Sequence, residues 1–372
     1  MRNDPRLWAS YRVEDYEVRV LSAEERDLGV LDGVTGGSIT VSTDARIKRA
    51  GKLSVVSDKP PEWWGTKLLH VFVTVNGLRW PLGLFIPTSP QEEYTGEAVE
   101  YEIELHDKLL IPDQDAVVSA YSIPAGTELI PHVVKMLKDM GQTRLAIEPF
   151  VSRPDETGHV WTTGKNSRPL TWDAGESKLT IINDILDYCG YFSLTCDPNG
   201  VYVAEHYRVP AEREVSWEFT EGRNAIHAKR WTFEQDLANI PNRIVYTTQE
   251  AQTEDGKELP SLTSLWENRD PGSPYSYQSR GRWISEVKTD VEAADQATLD
   301  AKVKRRAANA QNPMAKVVIS SAVLPVALNE IVRFRSGAKD MYMSIRKFDM
   351  ELRAGELMEV TLRKVNKGGD DK

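Results

Sequence analysis

The chain has 372 residues, 40% apolar and 27% charged, with 46 basic against 56 acidic residues and a formal net charge of -10. This length calls for two or more folded units, and the balance of apolar and charged residues excludes wholesale disorder. No stretch approaches the roughly 20 apolar residues that span a bilayer, the first residues carry no secretory signal, and an acidic chain is a poor wrapper of nucleic acid, which is held through clustered Lys and Arg.

The first third reads as β structure. Tyr16, Val18 and Val20 alternate with Glu17 and Arg19, and the pairs Ile39/Val41 and Leu53/Val55 carry the same period. Leu68 to Val75 is an apolar, β-branched run that ends at Asn76-Gly77, a strong hairpin signal. Leu78 to Ile86 is the expected return strand, with Pro81 and Gly83 marking an edge or a bulge. Val99, Tyr101, Ile103 and Leu105 alternate with Glu100, Glu102 and Glu104, a half-buried strand with a row of carboxylates on its other face.

The middle changes period. Thr127 can cap a helix over 127–140 carrying Ile130, Val133, Val134, Leu137 and Met140, with Gly141 as its stop. The polar stretch 152–175 reads as loop. A second helix is expected over 177–189, with Leu179, Ile182, Ile185, Leu186 and Cys189 on one face. A hairpin over 191–205 then turns through Asp197-Pro198-Asn199-Gly200.

From Trp217 the β pattern returns. Strands are expected over 226–232, 244–247, 316–319, 330–334, 341–351 and 357–365, broken by a polar loop at 249–278 and an Ala-rich helix at 290–312. That helix starts acidic and ends basic (Lys302, Lys304, Arg305, Arg306), which suits its macrodipole. Residues 366–372 read as a disordered tail. The domains expected are 1–110, 111–215 and 216–365.

Little in the chain points to chemistry. Cys189 and Cys196 are too few for a disulfide framework or a four-cysteine zinc site, and read as buried thiols. No two of the six histidines lie within five residues of each other, and His70, in an apolar strand, reads as a core histidine. There is no Gly-x-Ser-x-Gly motif, and Gly33-Val34-Thr35-Gly36-Gly37-Ser38 lacks the Lys and the following helix of a phosphate loop. No catalytic residue, metal ligand or cofactor is expected. Ten Trp residues suggest an assembly component. Trp63 and Trp64, after Pro60-Pro61, form either an aromatic platform for a sugar or protein partner or a loop tucked onto the β block. Trp266 raises the same question.

Several segments taken together resemble the hub or minor tail proteins of long-tailed bacteriophages, relatives of baseplate hubs and siphophage tail-tip proteins. They are Ile181-Ile182-Asn183-Asp184-Ile185-Leu186-Asp187-Tyr188-Cys189-Gly190-Tyr191, the 197–200 hairpin running to Tyr207, and Trp217-Glu218-Phe219. Next come Leu237-Ala238-Asn239-Ile240-Pro241-Asn242-Arg243-Ile244-Val245 and the loop Asp270-Pro271-Gly272-Ser273-Pro274-Tyr275-Ser276 with Arg280-Gly281-Arg282. The segment 324–330 departs from the pattern, where a Gly-Asp turn is expected.

The resemblance implies an α+β, mainly antiparallel β fold, with two small β-barrel, tail-tube-like domains flanking an α/β middle. It implies a non-enzymatic virion protein of the tail tip, made in the bacterial host cytoplasm. Three copies would form a ring that matches a sixfold tube. The implied partners are the chain itself as a homotrimer, a distal tail or tail-tube protein, a tape-measure protein and other tail-tip or receptor-binding proteins, with no membrane anchor. DNA would pass through without specific binding, and an acidic lumen, including Glu100, Glu102 and Glu104, would repel its phosphates. The alternatives are a carbohydrate-binding module using Trp63, Trp64 or Trp266, and a cell-wall hydrolase, for which the second β block leaves no room before residue 372.

Overall fold

The computed structural model describes residues 4–8, 11–57, 66–94, 96, 98–152, 164–223, 225–235, 238–252, 258–291, 293, 295–311 and 315–365. The expectations for Trp63, Trp64 and the tail 366–372 lie outside the described residues.

Seven strands open the chain: β1 (Glu14–Leu21), β2 (Asp27–Val30), β3 (Val34–Ser42), β4 (Arg49–Val56), β5 (Leu68–Val75), β6 (Leu78–Tyr94) and β7 (Val99–Asp107). Their alternation puts Ile39, Val41, Leu53, Val71, Val73, Tyr101, Ile103 and Leu105 in the core. Asn76, at φ 49°, and Gly77, at φ 79°, make the tight turn between β5 and β6. β6 is bulged but is not an edge strand: it pairs with β5 along its first half and with β7 along its second. The register slips between Val71↔Gly83 and Phe72↔Pro81, leaving Leu82 as the extra residue. The buried Arg49 guanidinium donates to the Leu82 carbonyl at 2.6 Å. A Cβ on Gly83 would lie 2.5 Å from Arg49 Cδ, so the glycine makes room for that side chain.

The middle of the chain contains α1 (Leu110–Gln114), β8 (Tyr121–Ile123), α2 (Leu129–Asp139), β9 (Leu145–Ile147), β10 (Leu170–Trp172), α3 (Lys178–Tyr188), β11 (Thr195–Cys196) and β12 (Tyr202–Ala204). Ile130, Val133 and Leu137 of α2 and Ile181, Ile182, Ile185 and Leu186 of α3 share a second core. Ser177 caps α3 by accepting from the Thr180 N–H at 3.2 Å.

After β13 (Val215–Thr220) and β14 (His227–Gln235), the chain leaves the main sheet. It builds β15 (Arg243–Thr247), β16 (Ala251–Gln252), β17 (Glu258–Leu259), β18 (Thr263–Glu267), α4 (Tyr277–Arg280), β19 (Ser285–Lys288) and α5 (Gln296–Gln311). β18, β15 and β19 form a separate three-stranded sheet, and α5 packs on one face of it around Ile244, Tyr246, Leu299 and Val303. The stretch 249–278 is therefore not a simple loop, and 244–247 does not join the main sheet. The chain then returns as β20 (Ala315–Ser321), which pairs with β14, followed by β21 (Ile331–Ser336), β22 (Lys339–Glu351) and β23 (Met358–Lys364).

The expectation of two β-barrels is overturned: among the described residues no sheet closes. β1–β7 and β13, β14 and β20–β23 form one thirteen-stranded sheet whose order runs from β14 to β2, with β13 and β21 branching at β22. The two blocks meet where the second half of β22 pairs with β3, from Lys347↔Ser42 to Glu351↔Ser38. One apolar core, with Ile39, Phe85, Trp217, Phe334, Phe348 and Val360, lies under both. Strand periodicity reports which face of a strand is buried but not which strand lies beside it. At one end of the path β2 is only four residues long, too short to carry a full closing strand.

Candidate assembly surfaces

Glu100, Glu102 and Glu104 lie on β7, on the sheet face opposite the core. Glu102 and Glu104 are exposed and Glu100 is half-buried. Lys52 of β4 pairs with Glu102 at 2.6 Å, and His106 lies 4.0 Å from Glu104. The strand register carries this face across the sheet. Glu104 stands opposite Lys52, Lys52 opposite Ser38, and Ser38 opposite Glu351. Asp349, which accepts from the Thr40 hydroxyl at 2.6 Å, stands opposite Glu359. On the other side, Glu93 of β6 faces Glu100. Carboxylates thus extend along both halves of the molecule, relieved by Lys52, by Arg363 and Lys316, which stand opposite each other, and by Lys347, which pairs with Asp349 at 2.8 Å. The sequence pointed to the β7 row only. The alternation in β22 held the signal for Asp349 and Glu351, but nothing in the sequence says that β22 lies beside β3.

Trp266 lies on β18. It stands opposite Ile244 in the β18–β15 pair and packs, half-buried, against the third core. A more exposed aromatic group lies nearby. Trp283 stacks on Tyr277 with ring centroids 4.4 Å apart, and the guanidiniums of Arg243 and Arg269 lie 4.0 and 5.1 Å from its centroid.

Several contacts join the units, two junctions among them. The turn at 197–200 docks on the first block, where His70 Nε2 lies 3.2 Å from the Pro198 carbonyl and the Tyr202 hydroxyl donates to the Lys108 carbonyl at 2.6 Å. Lys108 and Arg144 share the Glu25 carboxylate. Asp107 lies buried beneath, accepting from the Arg49 and Leu109 N–H groups at 2.9 Å each. Burial pushes its carboxyl up to about 6, against the pull of those bonds and of the Arg49 charge. At the other junction, Lys302 and Arg305 of α5 reach Asp187 of α3 at 2.6 and 3.2 Å.

No group of three or more His, Cys, Asp or Glu side chains suited to a metal ion occurs among the described residues. Burial raises the Cys189 thiol to about 12 and raises the Cys196 thiol well above its ordinary range, so neither is a thiolate at neutral pH. No described helix is long and apolar enough to cross a membrane.

No protein-family model matches the sequence, and no curated protein matches it. Solved structures do. The tail protein from Neisseria meningitidis MC58 is similar with a TM-score of 0.65 at 12% identity, over 94% of this chain and 97% of that one. The 43 kDa tail protein of prophage MuSo2 from Shewanella oneidensis is similar with a TM-score of 0.63 at 13% identity, over 94% and 98%. Prophage tail protein gp18 from Listeria monocytogenes EGD-e gives 0.53 at 11% identity, over 95% of each chain. At these identities the likeness is one of fold, and end to end this chain has the fold of prophage tail proteins.

Proposed function

We propose that the chain is a structural, non-enzymatic subunit of a phage or phage-like tail, at its tip. The observation that carries this reading is the fold shared with tail proteins over nearly the full length of both chains. In this reading three copies close into a ring. The β blocks within 1–110 and 216–365 act as two tube-like halves of each subunit, and 111–215 sits beside them. The ring seats on a distal tail or tail-tube protein, meets the tape-measure protein and other tail-tip or receptor-binding proteins, and belongs to the virion after synthesis in the host cytoplasm.

The acidic sheet face lines the channel in this arrangement. Glu100, Glu102, Glu104, Asp349, Glu351 and Glu359 outnumber Lys52, Lys316, Lys347 and Arg363 on it. Tripled around a lumen, such a face repels the phosphates of passing DNA. Electron microscopy of the purified chain tests the reading. A threefold ring with this face inward is the expected result, and a ring with the face on its rim, or a particle that forms no ring, overturns it.

A further inference from the structure

Two surfaces of the chain are incomplete in complementary ways. The first is an arm made by the outer ends of β6 and β7. β5 pairs with β6 only as far as Phe85, so Gln91–Tyr94 have β7 on one edge and, among the described residues, no strand on the other. These residues are exposed, and Tyr94 near the tip is 70% exposed. Residues 86–104 contain six glutamates and no lysine or arginine. Glu93 and Glu100 stand directly opposite each other, where like charges repel. Among the described residues neither has a cation in ion-pair range, the nearest relief being Lys52 on Glu102. An arm of this kind is completed by a cationic surface with room for an aromatic ring.

The second surface is such a cationic one. α5 covers one face of the β18–β15–β19 sheet. On the other face Leu265, Val245 and Val287 stand in one cross-strand row, with Leu265 59% and Val287 61% exposed. Beside this row Arg243 and Arg269 share a single carboxylate, Glu267, at 2.7 Å each, which leaves an excess positive charge next to Trp283 and Tyr277. Arg282 is exposed at the same rim. Arg, Tyr and Trp around an apolar centre are the residues that carry binding energy at protein interfaces. Among the described residues β6 and β7 make no extensive packing with this sheet within one chain.

We propose that the acidic arm of one copy docks on this face of a second copy, with Tyr94 over Leu265 and Val287 and with Glu92 and Glu93 against the arginine rim, while Glu100, Glu102 and Glu104 stay on the channel face. The contact joins two different surfaces, the heterologous kind that a cyclic ring needs. It rests on the ring reading above and specifies that ring's subunit contact.

Sedimentation of the full chain and of charge-reversed variants tests it. Replacing both Glu92→Lys and Glu93→Lys is expected to weaken self-association by about tenfold or more, and adding Arg282→Glu is expected to restore part of it. A short bis-maleimide is expected to link Tyr94→Cys to Val287→Cys between copies only, because the native cysteines are buried. Rings that assemble with unchanged affinity in the arm variant and give no such link overturn this contact while leaving the ring reading intact. A chain that neither associates nor cross-links at any soluble concentration overturns both. Wild-type arm binding to an unrelated protein, or to a glycan, without self-association also overturns the contact.

Discussion

Phe348 of β22 stands directly opposite Val41 of β3 in antiparallel register, and both are buried in the core that runs under the two β blocks. That pairing makes one sheet of two sequence-distant blocks. Truncation of Phe348 to alanine is expected to cost about 3–5 kcal/mol, as for other buried aromatics. Because the core is shared, β1–β7 and β20–β23 should lose stability together. Hydrogen exchange read on both blocks checks this. Loss confined to 315–365 would show that the junction does not couple them.

Asp107 predicts a pH dependence. Its folded-state pKa of about 6 lies above the ordinary 3.8, so the folded state binds the proton more tightly than the unfolded state. Stability is therefore greatest below about pH 4 for this group and falls as pH rises toward 6, after which it is level; the full effect is roughly 3 kcal/mol. Denaturant unfolding of wild type and Asp107→Asn across pH 4–7 checks the sign. The variant should lose this part of the slope.

Asp187 has the opposite sign. Burial works to raise its carboxyl, but Lys302 and Arg305 outweigh that and hold it at about 2. The stabilisation is present above about pH 4 and is lost as pH falls toward 2. The Asp187 side chain is 54% exposed, so solvent screens the pair and Lys302→Met, which keeps an apolar stem, should cost only about 1 kcal/mol. The loss should appear as faster exchange in α5 and α3, with the main sheet unchanged.

Gly200 holds the middle unit against the first block. Its φ is 78°, and an added Cβ would lie 2.5 Å from Leu84 Cδ2 and 3.1 Å from Lys108 Cδ. Gly200→Ala is expected to destabilise by about 1–3 kcal/mol, through backbone strain and overpacking together. Gly126→Ala has a similar φ of 82° with nothing within 4 Å, so it should show the strain alone and cost less. Thermal unfolding of the two variants separates the contributions.

The sequence by itself determined the local structure. The alternation of Val99, Tyr101, Ile103 and Leu105 specifies which side of β7 faces the core, and Asn76-Gly77 specifies the turn before β6, because side-chain period and backbone φ are properties of adjacent residues. The outward direction of Glu100, Glu102 and Glu104 was legible for the same reason. Strand neighbours were decided only in three dimensions. That β22 lies beside β3, that Ile244 belongs to a separate sheet with Trp266, and that Glu351 extends the acidic face all depend on pairings between residues far apart in the chain. Such pairings are selected by the packing of the whole core, and two closed barrels or one open sheet satisfy the same alternation of buried and exposed residues.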